Sequence, residues 1–379
     1  MGKKRYRPQD RRKDDGNRQE RGRRRAWGGG PGGKGGTRIP RPEKTETPDF
    51  WSRLLGSGED NDFLEKTACP ACGNLSARIL GRLGPTILRK CRACSLVYVS
   101  PRLADSVRRD MLRREPAPLS SERNLMLRHK MADRMELMHR ETPSLEGMAK
   151  RSSTLLEIGC RWGHFLQLCR PHYRSVEGLE WSKERAAFAR ERFDLDVSAA
   201  DILREPWAGR YNFIVAWDLI EREPYPLEVL RWMHDHLIPD GQIVLSAPNY
   251  DSFSRRLLRK RWPHFHPARH LSYFTPATLS ALLREAGFRD VTVRTSGLSA
   301  LGAWMSRPNR VDRERDARGQ WLRMLRSREA AETAGGAAGI SPGRESGLRR
   351  AGKKLAGMLS ALLTAPGWGD EMRVYARKS

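Results

Sequence analysis

Beyond residue 152 the chain takes turns between short apolar runs and stretches of helical spacing. STLLEIG (153–159) reads as a buried strand and WGHFLQLCRPH (162–172) as the helix after it. RSVEGLE (174–180) is a second strand, and SKERAAFARERF (182–193) a helix opened by Ser182 as N-cap. DVSAAD (196–201) and YNFIVAWD (211–218) are strands, then come the helix LEVLRWMHDHL (227–237), the turn PDG (239–241) and the strand QIVLSAPN (242–249). TPATLSALLREAGF (275–288) is a helix with Thr275 as cap, Pro276 in its first turn and Gly287 at its end. FRDVTVRTS (288–296) and the closing GDEMRVYARKS (369–379) alternate like strands. Strands and helices in this order fold as an α/β, doubly wound Rossmann-like sheet with helices on both faces.

The rest of the chain has a different character. Only 38% of residues are apolar and the formal net charge is +26. Residues 1–45 alone carry 16 Lys/Arg against 5 Asp/Glu. Residues 1–48, with Arg/Lys clusters and GGGPGGKGG, have nothing to bury and are expected to be a disordered basic tail, an electrostatic arm for RNA or another polyanion, or a solvated tail. The tail lacks an apolar h-region, and Asp10, Asp14, Asp15 and Glu20 argue against a mitochondrial transit peptide. No apolar run is long enough to span a membrane. Residues 101–150, including MADRMELMHRE, read as a helical linker, 151–300 as the core, 301–366 as a basic, mostly helical insertion and 367–379 as the core's last strand.

Cys69, Cys72, Cys91 and Cys94 form two CxxC pairs separated by 18 residues. Two such knuckles bring four thiolates onto one tetrahedral metal, zinc by default, and CGNLSAR and LRKCRACSLVYV read as the strands of a zinc ribbon over 67–100. Four thiolates leave no open position, which makes the metal structural. Free thiols and a metal site suit a reducing, cytoplasmic setting. Cys160 and Cys169 read as packing residues.

In a doubly wound sheet the ligand lies beyond the carboxyl ends of the strands. Those ends carry Glu157, Gly159, Arg161 and Gly163, then Glu180, Asp201 and Asp218. Glu180 follows Gly163 by 17 residues, the distance at which an acid reaches ribose hydroxyls, and it excludes a 2′-phosphate. Asp201 suits an adenine amino group. An acid at Glu157, before the first glycine, would repel a pyrophosphate but favour an ammonium or a sulfonium. S-adenosylmethionine carries both and no phosphate.

LLEIGCRWGHFL, VEGLEWS, Asp201, YNFIVAWDLIEREPYPLEVL, LIPDGQIVLSAPN and RWPHFHPARHLSYFTPATLSALLREAGF stand here in the order of a known family. With them, residues from about 67 to 300 and the final strand resemble a class I S-adenosylmethionine-dependent methyltransferase with an N-terminal zinc ribbon. The resemblance implies a final antiparallel strand, S-adenosylmethionine as cosubstrate, and Glu157, Gly159, Arg161, Gly163, Glu180, Asp201 and Asp218 around it. Two residues depart from the pattern. Arg161 stands where the family has a middle glycine, and Arg222 where relatives carry His after Glu221.

Methyl transfer is an in-line displacement, served by alignment and exclusion of water, with a base only where the acceptor must lose a proton. His264, His266 and His270 are the candidates, and by resemblance His270, ahead of a Tyr–Phe pair, is the best placed. Tyr273 and Trp262 are either pocket walls or core. The sequence leaves three readings: methyl transfer to an O, N or C atom of a small molecule, an RNA- or ribosome-associated methyltransferase, and a non-catalytic binding protein retaining the fold.

Overall fold

The computed structural model describes residues 63–83, 86–113, 121–142, 150–259, 262–297 and 367–379. The basic tail and the 301–366 insertion expected from the sequence lie outside the described residues.

The first strands are β1 (Leu64–Glu65), β2 (Ala77–Leu83), β3 (Thr86–Cys91), β4 (Val97–Val99) and β5 (Arg102–Leu103). Helices α1 (Asp105–Arg113) and α2 (Ser121–Glu141) lead into β6 (Thr154–Ile158), α3 (His164–Cys169), β7 (Ser175–Leu179), α4 (Lys183–Phe193) and β8 (Asp196–Ser198). Then come β9 (Tyr211–Trp217), α5 (Pro226–Asp235), β10 (Leu237–Pro248), α6 (Phe253–Leu258), β11 (Ser272–Tyr273), α7 (Pro276–Glu285), β12 (Phe288–Ser296) and β13 (Glu371–Lys378).

Seven strands form one sheet in the order β12-β13-β10-β9-β6-β7-β8. The strands from β8 to β10 run parallel, while β13 is antiparallel to both β10 and β12. The chain thus has the doubly wound Rossmann-like fold with an antiparallel final strand. Period-2 alternation sorts the sheet residues onto two faces. Leu156, Ile214, Ile243 and Leu245 pack with Val229, Leu230 and Met233 of α5 and with Leu279, Leu282 and Leu283 of α7. Leu155, Phe213, Val215 and Val244 pack with Phe165 and Leu166 of α3, Ala186 and Ala189 of α4, and Met138 of α2.

Local signals account for several boundaries. Ser182 caps α4 by accepting from Arg185 N–H, and Thr275 caps α7 through a reciprocal capping box with Thr278. The helix expected over 162–172 is confined to His164–Cys169, because the turn from β6 continues through Gly163 (φ 79°). The turn expected at 239–241 is an irregularity within β10, whose register with β9 shifts between Leu237 and Gln242. Asp240, at φ 59°, turns the chain inside that shift.

β2, β3, β4 and β11 make a second, four-stranded antiparallel sheet. Its Cys69, Cys91, Leu96 and Tyr98 belong to the same core cluster as α5 and α7. Among the described residues, no helix is long and apolar enough to cross a membrane.

Candidate functional site

The two knuckles repeat one backbone design. Cys69 N–H donates to Asn74 O, and Cys91 N–H donates to Leu96 O, at 3.0 and 2.9 Å. The residue after each second cysteine, Gly73 or Ser95, adopts a left-handed conformation at φ 69° or 64°. The four sulfurs lie within 4.8 Å of one another, with Cys69–Cys94 at 3.5 Å and Cys72–Cys91 at 3.6 Å. These separations are too long for disulfides, which need about 2.05 Å. They approach the roughly 3.8 Å between thiolates of a tetrahedral centre with metal–sulfur bonds of about 2.3 Å. Cys69 and Cys91 are buried and Cys72 exposed, so the residues present fit a metal that closes the ribbon at its surface.

In the main sheet the chain crosses from β8 to β9 and reverses the direction in which strands are added. The switch point therefore lies between β6 and β9, and folds of this kind bind ligands beyond the carboxyl ends of the strands at that point. β6 delivers Glu157 there, and the turn after it carries Gly159, Arg161 and Gly163 at φ 69°, 54° and 79°. A Cβ at Gly159 would come 3.0 Å from Leu219 Cδ1, and one at Gly163 2.8 Å from Leu195 Cδ1 and 2.9 Å from Ala189 Cβ. Arg161 holds the same backbone hand without being glycine, at a cost of about 1 kcal/mol. Its N–H donates to Glu180 Oε2 at 3.0 Å, while Glu180 Oε1 accepts from Ser182 N–H at 3.1 Å.

The first two acids of the crevice are buried. Glu157 and Glu180 are 3% and 2% exposed. Burial pushes the Glu157 carboxyl well above its ordinary value; Glu180 adds to the shift, and Arg134 and Arg161 oppose it. Glu157 Oε2 has no hydrogen-bond partner among the described residues. Burial also raises Glu180, against Arg185 and the N–H groups of Ser182 and Arg161.

Asp218, just past β9, is held differently. It sits at φ 50° and accepts from Arg134 Nη2 at 2.8 Å through both oxygens, and from Ser246 Oγ at 3.0 Å. Lys130 reaches it at 3.3 Å. Burial would raise this carboxyl, but Arg134, Lys130 and Arg222 outweigh it and hold it below the ordinary range. Asp201 lies beyond β8 and pairs with Arg109 Nη2 of α1 at 2.7 Å.

His270 is 4% exposed and its ring is fixed. Nδ1–H donates to the His264 carbonyl at 2.9 Å, so Nε2 keeps its lone pair, 3.8 Å from Glu221 Oε1. Burial holds His270 well below its usual pKa, helped by Arg222 and His266, and burial leads in lowering His264 and, to about 4, His266. Burial brings Glu221 to about 7, with Arg222 opposing and Asp218 reinforcing the shift. Trp262 and Tyr273 are buried in one aromatic cluster with Phe265, and Trp262 Nε1–H donates to Asp370 at 3.1 Å. Cys160 and Cys169 are buried in the core beside α3.

The sequence reading missed Arg134. It is 4% exposed, its guanidinium lies 5.0 Å over the Trp217 ring, and Nη2 also reaches Glu371 at 3.1 Å. Helix α2 is further tied down by Asn124 against His164 Nε2 (2.6 Å) and by Glu141 against Arg373 and Tyr375. The available signal was the MADRMELMHRE spacing, which puts Met131, Met135 and Met138 on the core side but names no partner for the arginine.

A glycine turn at the switch point of a doubly wound sheet, acids at successive strand ends and an antiparallel last strand together define an open-sheet α/β domain of the Rossmann-like class. Residues 127–293 match the sequence profile of a family described as a methyltransferase domain. The chain is 26% identical over 103 residues to the ubiquinone biosynthesis O-methyltransferase of Pseudomonas paraeruginosa, covering 25% of this chain and 44% of that protein. It is 24% identical over 151 residues to the enzyme of the same name from Pseudomonas aeruginosa strain LESB58, covering 35% and 63%. The chain thus spans 44–63% of the length of these curated relatives. A SAM-dependent methyltransferase from Thermotoga maritima aligns at 16% identity and a TM-score of 0.41, over 71% of this chain and 99% of that one. N-methyltransferase NodS from Bradyrhizobium japonicum, solved with S-adenosyl-L-homocysteine, aligns at 20% identity and a TM-score of 0.36, over 52% and 91%.

Proposed function

We propose that the protein is an S-adenosylmethionine-dependent methyltransferase that alkylates an O, N or C atom of a small-molecule acceptor. The observation that carries this reading is Glu157: a buried carboxyl at the switch point, one oxygen of which lacks a hydrogen-bond partner. A phosphate has no donor for that oxygen, whereas an ammonium supplies the missing donor and favours the ionised carboxylate by its charge. When bound, S-adenosylmethionine supplies an electrophilic methyl group. Glu157 would hold its ammonium, Glu180 its ribose hydroxyls, and Asp201, released from Arg109, its adenine amino group. Gly159, Arg161 and Gly163 would let the backbone pass close to it. Asp218 would act through Arg134, by keeping that guanidinium at the mouth of the crevice.

On the acceptor side, the chain's own chemistry is a proton relay. A hydroxyl or amine set against His270 would pass its proton to Nε2, the only ring nitrogen with a lone pair. The imidazolium so formed would face Glu221 at 3.8 Å, which stabilises it once that carboxyl is ionised. The curated relatives, named as O-methyltransferases, support an oxygen acceptor. We place zinc in the four-cysteine ribbon as a structural ion, and the protein in the cytoplasm, where thiols stay reduced.

Transfer of a labelled methyl group from S-adenosylmethionine to a panel of phenols, amines and carbon acids tests the activity. Label in one of these classes is the expected result; label in RNA alone would replace the small-molecule reading. The strongly basic residues 1–45 favour a polyanion as an additional partner. Salt-dependent RNA binding that disappears on deletion of residues 1–48 would establish it.

A further inference from the structure

We propose that the four-cysteine ribbon positions the acceptor-side pair His270 and Glu221, so that metal occupancy governs that pair while leaving the cofactor crevice largely intact. The inference rests on the reading of His270 and Glu221 given above.

The link is Leu271, the residue after His270. Its carbonyl accepts from Val99 N–H of the ribbon at 2.9 Å, and its own N–H donates to the Glu221 carbonyl at 2.8 Å. One residue therefore ties ribbon, base and acid together. The next two residues form β11, which is a strand of the ribbon's sheet: Ser272 pairs with Tyr98 and Tyr273 with Val97. β4, the strand they pair with, has only three residues and begins three positions after Cys94. Its place depends on the Cys91–Cys94 knuckle that turns β3 into β4. Side chains reinforce the link, since Leu88, Val97 and Val99 pack against Trp262, Phe265 and Tyr273.

The Glu221 loop is also gripped from the N-terminal side. Arg102, which follows the ribbon and is 4% exposed, donates to Pro224 O at 3.3 Å, and Arg108 donates to Arg222 O at 3.2 Å. By contrast, Glu157 and Glu180 are set by β6 and β7, which pair with each other inside the main sheet. Without the ion nothing bonds the four sulfurs to one another, so its loss loosens the knuckle first, then β4, then Leu271.

The test compares the full chain with its zinc bound, the same protein stripped by a chelator, and a Val97→Ala variant that keeps all four thiols. Zinc content is measured in each. Amide hydrogen exchange is followed at Leu271 and Val99, and S-adenosylhomocysteine affinity by calorimetry. Stripping is expected to speed exchange at both amides by about tenfold or more. The affinity is expected to change by about threefold at most. Val97→Ala, with full zinc, is expected to reproduce part of the exchange effect and to lower kcat with an unchanged KM for S-adenosylmethionine. Unchanged exchange at Leu271 in stripped protein overturns the proposal, as does a loss of affinity in step with the loss of protection, because the ion would then hold the whole fold. If S-adenosylhomocysteine fails to bind even with zinc present, the methyltransferase reading falls, and the exchange data still decide whether the ribbon positions this segment.

Discussion

Arg134 Nη2 lies 2.8 Å from each carboxylate oxygen of Asp218, although 84 positions separate the two residues. The arginine side chain is 5% exposed and the aspartate 23%, so the pair is more than a surface contact. Arg134→Leu would leave Asp218 with only the half-exposed Lys130 as an ion-pair partner, and Glu371 without Arg134. The expected loss is about 3 kcal/mol, the size seen when one partner of a buried pair is removed. Urea denaturation reads it, and Asp218→Asn in the Arg134→Leu background should recover most of it. A loss within about 1 kcal/mol would class the pair with exposed salt bridges.

Glu221 and Glu223 give stability a pH slope of defined sign. Burial brings both carboxyls to about 7 in the folded chain, from an ordinary value of 4.5. The folded state therefore binds protons more tightly than the unfolded one between those values. Stability should be highest below pH 4.5 as far as these two groups are concerned, fall as pH rises towards 7, and level off above it. Denaturation midpoints of the Glu221→Gln, Glu223→Gln double variant between pH 5 and 8 should show a flatter profile than those of the unaltered chain.

The same group predicts the shape of the activity profile. Because Glu221 must be ionised to stabilise a protonated His270, kcat/KM for an acceptor that loses a proton should climb through about pH 7. Glu221→Gln should remove that limb and lower the plateau, and His270→Ala should lower the rate by about 100-fold, the usual scale of general-base loss. An unchanged rising limb in Glu221→Gln would assign it to another group.

Arg161 tests the glycine turn. Its φ of 54° is a conformation that glycine adopts freely, and the contact it makes to Glu180 comes from its backbone N–H. Arg161→Gly should therefore raise thermal stability by about 0.5–1 kcal/mol. S-adenosylhomocysteine affinity should stay within about threefold. A steep fall in affinity would show that the guanidinium itself holds the ligand.

The parts of the fold that could be read in the sequence are those set by local signals. Ser182 and Thr275 mark helix starts, Gly159 and Gly163 mark a turn that side chains would obstruct, and the paired CxxC knuckles bring their sulfurs together. Three features had no local signal. β13 inserts between β10 and β12 although its neighbour in the chain lies far upstream, and register of that kind is decided by which edge remains open. Arg134 stands among methionines, and its partner Asp218 lies 84 positions away in the chain. Ser272 and Tyr273 are too short a strand to show alternation, so their pairing with the ribbon is visible only in three dimensions. PDG was legible as a turn, but β10 absorbs it as an irregularity because Leu237 still pairs with Tyr211.

The central claim is that acids at the carboxyl edge of this sheet hold an adenosine ligand through its ribose hydroxyls and its ammonium group. Calorimetric titration of the zinc-loaded full chain with S-adenosylhomocysteine tests it most directly. One site per chain is expected, weakened about tenfold or more, roughly 1.4 kcal/mol, by Glu180→Ala in protein shown by circular dichroism to be folded. No heat of binding to the folded chain, or binding that Glu180→Ala leaves untouched, would contradict the account.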